Sequence, residues 1–102
     1  MNSVPDGLTW WSVPDSRSGN TVAWAYEGGT RTAYVAFRGV GCLTPYAYPN
    51  VPPETVRTVG SAPYVSWAIA HHIKVMPVYE RLASIPSGSL RPVDWSAHDG
   101  AQ

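Results

Sequence analysis

The chain has 102 residues, with seven basic side chains balanced by seven acidic ones; at zero net charge it lacks the electrostatic footprint of proteins that hold long phosphate backbones. Its one cysteine, Cys42, excludes an internal disulfide and a thiolate zinc site, and no apolar run approaches the roughly 20 residues that cross a bilayer. The length suits one domain whose core has little reserve.

A reducing, intracellular setting is expected from the single thiol. The start of the chain, MNSVPDGLTWW, has neither the basic start nor the long apolar centre of a secretory leader. Only 14% of residues are charged, while five tryptophans and six tyrosines supply more ring surface than a core this small is expected to absorb. Amphipathic rings left over from a core suit an interface.

Residues 1–18 are predicted to be an N-terminal arm. Ser-Val-Pro-Asp occurs there twice, at 3–6 and 12–15, around Leu8, Trp10 and Trp11. Adjacent tryptophans are rare in disordered tails, so the arm is expected to pack on its own domain or on a neighbouring subunit. Thr21–Tyr26 alternates as a strand with Val22, Trp24 and Tyr26 on one face. The Gly28-Gly29 turn leads to a second strand over Thr32–Arg38, with Val35 and Phe37 on one face and Tyr34 and Ala36 on the other. After Gly39–Cys42, residues Leu43–Tyr48 form a third strand with Tyr46 and Tyr48 on one face. Pro45 marks it as an edge or a bulge.

Asn50 stands at a helix cap position. Pro52 and Pro53 suit a first turn and Glu54 suits the positive helix start, so a helix is predicted over 53–59 with Val56 and Val59 inward, stopped by Gly60. A second helix is predicted from about Pro63 to Met76, ended by Pro77. Its stripe of Val65, Ala68, Ile69, His72, Ile73 and Met76 lies beside a second stripe of Tyr64, Trp67 and His71, a width that touches both the sheet and something else. Residues 77–83 are read as a short third helix, and 84–102 as a C-terminal arm and tail carrying Trp95.

The order strand, Gly-rich turn, strand, turn, Tyr-x-Tyr strand, Val-Pro-Pro-Glu, helix resembles the KTSC family. These are small domains similar to a C-terminal extension of some lysyl-tRNA synthetases, common in bacterial and bacteriophage genomes. The matching positions are Tyr26, Phe37, Tyr46, Tyr48, Val51, Pro52, Glu54 and Val56, with His72, Ile73 and Lys74 standing for the family's His-Ile-Arg helix end. The resemblance covers roughly residues 19–75. Ser61-Ala62-Pro63 replaces a Ser-Lys-Gly-like turn, and the path from Ser61 to His72 is a few residues longer than usual. It implies a small α+β domain and carries no catalytic role, because the family has no agreed activity.

Candidate chemistry is sparse. His71 and His72 are helix neighbours about 100° apart and cannot grip one metal as an i, i+4 pair does, so they read as structural. Asp94–Asp99 contains Ser96 and His98, the residue types of a hydrolytic triad, but triads are recognised by geometry, and a solvated tail is the plainer account. Cys42 has no nearby base to lower its pKa, and the Gly39–Cys42 turn lacks the lysine and helix of a phosphate loop.

The fold class is therefore α+β: a three-stranded antiparallel meander over residues 19–83, packed against one or two C-terminal helices and flanked by arms at 1–18 and 84–102. The leading function is a non-enzymatic, self-assembling or partner-binding module, with a bacteriophage head or tail accessory protein as the setting. No cofactor, metal or membrane is called for. Partners are other protein subunits, either copies of the chain or phage structural proteins, in the host cytoplasm or the virion. The interface candidates are Trp10, Trp11, Trp67 and Trp95. The alternative is a ligand-binding protein that holds a nucleotide or RNA segment on an aromatic shelf of Trp24, Tyr26, Tyr46 and Tyr48, edged by Arg38 or Arg57. Against the shelf stands the plainer possibility that these rings form the core between sheet and helices.

Overall fold

A computed structural model describes residues 2–14 and 20–95. Strands Trp10–Ser12 (β1), Thr21–Glu27 (β2), Thr32–Arg38 (β3) and Cys42–Tyr48 (β4) are followed by helices Pro53–Gly60 (α1) and Val65–His72 (α2), then by the two-residue strands Glu80–Arg81 (β5) and Ile85–Pro86 (β6). All strand pairings are antiparallel, in the order β1-β2-β3-β4-β5, with β6 also on β4. The class is α+β as the sequence predicts, but the sheet has six strands rather than three, because both supposed arms and the segment read as a third helix each add one.

Successive strand residues face opposite ways, and this sheet is apolar on both faces. On the first face Trp24, Val35 and Tyr48 meet Val56 and Val59 of α1 and Val65, Ala68, Ile69 and Ile73 around α2. On the second face Ala23, Ala25, Tyr34, Ala36 and Ala47 are covered by chain-terminal residues Val4, Leu8, Leu82 and Leu90. The adjacent tryptophans of β1 divide between the two. Trp10 belongs to the second core and Trp11 to the first, and both are buried.

The described parts of the segments expected to be arms are thus structural parts of the domain. The chain after α2 straps the sheet from edge to edge. β5 and β6 line the outer side of β4, Leu82 and Leu90 cross the second face, and Val93 bridges to Trp11 at the opposite edge. There Ser12 N–H donates to the Val93 carbonyl at 2.8 Å, and Val93 N–H to the Trp10 carbonyl at 2.9 Å. The long strands β2, β3 and β4 thus have partners on both sides, and the outermost strands β1, β5 and β6 are only two or three residues long, short edges that blunt edge-to-edge pairing. The N-terminal segment also meets the stretch between β5 and β6, since Ala83 N–H donates to the Asn2 carbonyl at 2.7 Å.

Several local expectations are corrected. Val22 packs on the second face, not with Trp24, because a bulge between Thr21 and Ala23 places an extra residue on β2 and reverses its side. Pro45 lies within a continuous β3–β4 register, opposite Ala36, so β4 is neither bulged there nor an edge. The Pro45 carbonyl faces Leu82 N–H at 2.9 Å. Its missing amide hydrogen therefore falls on that side, where the covering strand is broken into β5 and β6. The left-handed residue of the β2–β3 turn is Arg31 (φ 55°), not a glycine, and Thr30 Oγ1 steadies the turn by donating to the Glu27 carboxylate at 2.8 Å.

Asn50 is not the α1 cap. Its backbone is left-handed (φ 63°), a region asparagine tolerates, and Pro52 occupies the cap position. Val51 between them is pinned from both sides. Its N–H donates to the Arg31 carbonyl at 2.8 Å and its carbonyl accepts from the Tyr26 hydroxyl at 2.6 Å. Helix α2 ends at His72 rather than Met76, with the Ile69 carbonyl accepting from both Ile73 and Lys74 N–H at 2.9 Å, the pattern of a chain leaving its helix. His72, expected on the buried stripe, is exposed. Residues 77–83 form no helix; Glu80 and Arg81 pair instead with Ala47 and Tyr46.

Gly60 ends α1 for a reason other than a left-handed turn. It is buried, and a Cβ there would overlap the Trp95 ring. Trp95 reaches this spot from beyond Val93 and completes a cluster with Trp11 (ring centroids 4.8 Å apart, edge-on) and Trp24 (5.7 Å, stacked). Gly60→Ala gains up to about 1 kcal/mol of helix propensity but loses about 1–3 kcal/mol by overpacking, so a net fall in thermal and urea stability is expected. In a Trp95→Ala background the same change is expected to be neutral or stabilising, and additive effects in that double-mutant cycle would contradict the contact. A 19–83 fragment, which loses β1, β6 and Trp95, is expected to show no cooperative unfolding transition by circular dichroism.

Candidate functional site

Three of the four interface candidates lie inside the domain. Trp10 and Trp11 are 7% and 3% exposed, and Trp95 packs half-buried against the first core. They are corrected to core residues. The interior absorbs them because the sheet is wider than the expected one and has two cores rather than one. The fourth candidate, Trp67, is 58% exposed on the outward side of α2, beside Tyr64 at 67%. The Trp67 ring stacks on His71, with centroids 4.0 Å apart and planes inclined by 22°, and His71 Nδ1 lies 3.0 Å from the Trp67 carbonyl. The inward side of the same helix is Val65, Ala68 and Ile69, all buried. This helix therefore has one side covered and one aromatic side bare.

The predicted aromatic shelf exists only in part. Register aligns Trp24, Val35 and Tyr46 in one row and Tyr26, Ala33 and Tyr48 in the next, all on the first face. The helices cover the Trp24 end. Trp24 is fully buried, and among the described residues its indole N–H finds no acceptor. Such a group costs about 1–3 kcal/mol, an amount comparable to burying a large side chain. Trp24 is therefore core and not shelf. Tyr26 is committed to Val51 through its hydroxyl. Burial raises its pKa, an effect opposed by Arg31 and reinforced by Glu54.

Neither predicted arginine edges the shelf. Arg38 lines a hollow with Val22, Cys42 and Leu43, away from Tyr46. Arg57 lines a cleft of about 420 Å³ with Trp11, Tyr26 and Trp95, where the Asp6 and Glu27 carboxylates offset its charge.

What remains open lies at the β4 side. A hollow of about 490 Å³ is lined by Asn20, Phe37, Thr44, Tyr46, Tyr48, Lys74, Tyr79 and Arg81. Phe37 meets Tyr46 edge-on at 5.4 Å. Tyr79 lies 5.8 Å from Tyr46 and 6.0 Å from Tyr48. Lys74 Nζ sits 4.9 Å from the Phe37 ring centroid, and Arg81 is the β5 partner of Tyr46. Phe37 was legible on the Tyr46 face from its strand period. Lys74, Tyr79 and Arg81 were not, because only the turn after α2 and the pairing of β5 bring them there.

Among the described residues, no group of three or more His, Cys, Asp and Glu side chains is placed to hold a metal ion, and no helix is long and apolar enough to cross a membrane. The Ser96–Asp99 stretch lies outside the described residues. No family model, curated protein or solved structure matches this chain.

The phenols of the sheet differ in environment. On the second face, burial raises the Tyr34 pKa, with Glu27 and Glu80 adding to it. On the first face, burial pushes Tyr48 up to about 12, and the neighbouring Tyr46 and Tyr79 phenols add to it as they ionise. A folded pKa above the unfolded value of about 10 means that the folded state keeps its proton longer. The stabilisation is whole below the unfolded value and is lost as pH rises through the folded one. Urea stability is therefore expected to fall more steeply between pH 10 and about 12 in the wild type than in Tyr48→Phe; superimposable slopes would show that Tyr48 carries no such linkage.

Proposed function

We propose that this chain is a non-enzymatic, KTSC-like protein-binding module that self-associates, or joins other subunits of a bacteriophage head or tail, through the outer face of α2. The observation that carries the reading is the exposure of Trp67, in a chain that turns its four other tryptophans inward. Stacking on His71 holds the indole in place before any partner arrives. An anchor fixed in advance lowers the entropy cost of association, and tryptophan and tyrosine dominate interface hot spots. A net charge of zero leaves no bulk repulsion between copies. Trp10, Trp11 and Trp95 are no part of this reading, since they pack within the domain. The phage setting rests on the family resemblance alone.

Light scattering on the full chain at about 100 µM, a concentration that reveals micromolar affinity, is expected to give at least twice the monomer mass. Trp67→Ala is expected to return the monomer with an unchanged circular dichroism spectrum. Association should also blue-shift the tryptophan emission, because Trp67 is the indole most open to water. A wild-type monomer with water-exposed emission under these conditions would end the self-association reading.

A further inference from the structure

The hollow beside β4 is set apart by its charge. The chain as a whole is neutral, yet among the described residues this lining contains two cations, Lys74 and Arg81, and no carboxylate. The nearest acid in sequence, Glu80, is turned away. It pairs with Ala47 on the second face, and its carboxylate accepts from Asn2 Nδ2 at 2.7 Å. The cleft at Arg57 shows the contrast, since Asp6 and Glu27 share it and leave no preference for an anion.

The remaining lining is aromatic. Tyr79 is 58% exposed and inclined by 44° to Tyr46 and 38° to Tyr48, so the three rings do not close into a packed stack. Ring faces offered at such a spacing are sequence-tolerant platforms for a planar base. Lys74 stands at the Phe37 ring and Arg81 pairs with Tyr46, so both cations border the rings. The Asn20 amide and the Thr44 hydroxyl add neutral hydrogen-bonding groups. The volume of about 490 Å³ falls in the range of small-molecule sites.

We propose that this hollow binds a mononucleotide, its base stacked against Tyr79 and Tyr46 and its phosphate held by Lys74 and Arg81. Aromatic faces alone would take any planar solute, and two cations alone any anion. Together they select a planar group that carries a phosphate within one molecule. Electrostatics also limit the ligand. Two cations on a neutral protein neutralise one phosphate and offer no track for a strand. The site is separate from the outer face of α2 and does not depend on self-association there.

The experiment is a nitrogen-15 NMR titration of the full chain with AMP, adenosine, inorganic phosphate and a short oligoadenylate. AMP is expected to give saturable shifts confined to residues around Phe37, Tyr46, Lys74, Tyr79 and Arg81. Adenosine and phosphate are expected to bind at least about tenfold more weakly than AMP, and oligoadenylate no more tightly per nucleotide. Lys74→Gln with Arg81→Gln should weaken AMP about tenfold while sparing adenosine, whereas Tyr79→Ala should weaken both. All three positions are exposed, and retained peak dispersion in the same spectra confirms folding. Trp67→Ala should leave AMP binding unchanged, which separates this site from the α2 surface. Absence of saturable shifts up to about 10 mM AMP, shifts centred elsewhere, phosphate binding as tightly as AMP, or oligoadenylate binding more tightly would each overturn the proposal.

Discussion

A sheet with two apolar faces must be shielded from water on both, and each face here is shielded by a different part of the chain. The helices cover the face that carries Trp24 and Val35. Residues before β1 and after α2 cover the face that carries Ala23, Ala25, Tyr34, Ala36 and Ala47. The alanine-rich second face is shallow, so thin extended segments with a few aliphatic side chains suffice to cover it.

The two shields are tied together at β1. Its adjacent tryptophans point to opposite cores, and its outer edge hydrogen-bonds the segment around Val93. That segment delivers Trp95 onto Gly60 and against Trp11 and Trp24, where the indole rings pack at angles from stacked to edge-on. Such pairs contribute about 0.5–1.5 kcal/mol each beyond their area. The end of the chain thus seals the core that its middle begins. Among the described residues, the outer side of α2 and the hollow beside β4 both leave aromatic rings uncovered, and these are where binding is proposed.

The first hairpin and the third strand were legible because period-two alternation is a local property. Val35 and Phe37 against Tyr34 and Ala36 fall on opposite faces as their spacing requires. The start of α1 was legible within a residue or two from Pro52, Pro53 and Glu54. The end of α2 was misplaced because Pro77 sets only an outer limit. The chain leaves the helix where Ile73 is buried and Lys74 meets the Phe37 ring, contacts absent from the local pattern. Residues 77–83 were misread as a helix because their pairing partner lies more than thirty residues earlier in β4. Half of the shelf was foreseen for the right reason, since Tyr46 and Tyr48 do share a face. Trp24 and Tyr26 share that face too, but the helices and the Val51 carbonyl claim them.

Sequence alone determined the α+β class, the strand periods and the surplus of rings, since composition and alternation act over a few residues at a time. Only the tertiary structure decided where the surplus goes. Whether a tryptophan near a terminus lies in a core or on a partner depends on long-range pairing, here of Trp10–Ser12 with β2 and of Val93 with β1. Those pairings join residues far apart in the chain. Their free energy comes from burying two faces of one sheet at once, a quantity that no local window of sequence contains.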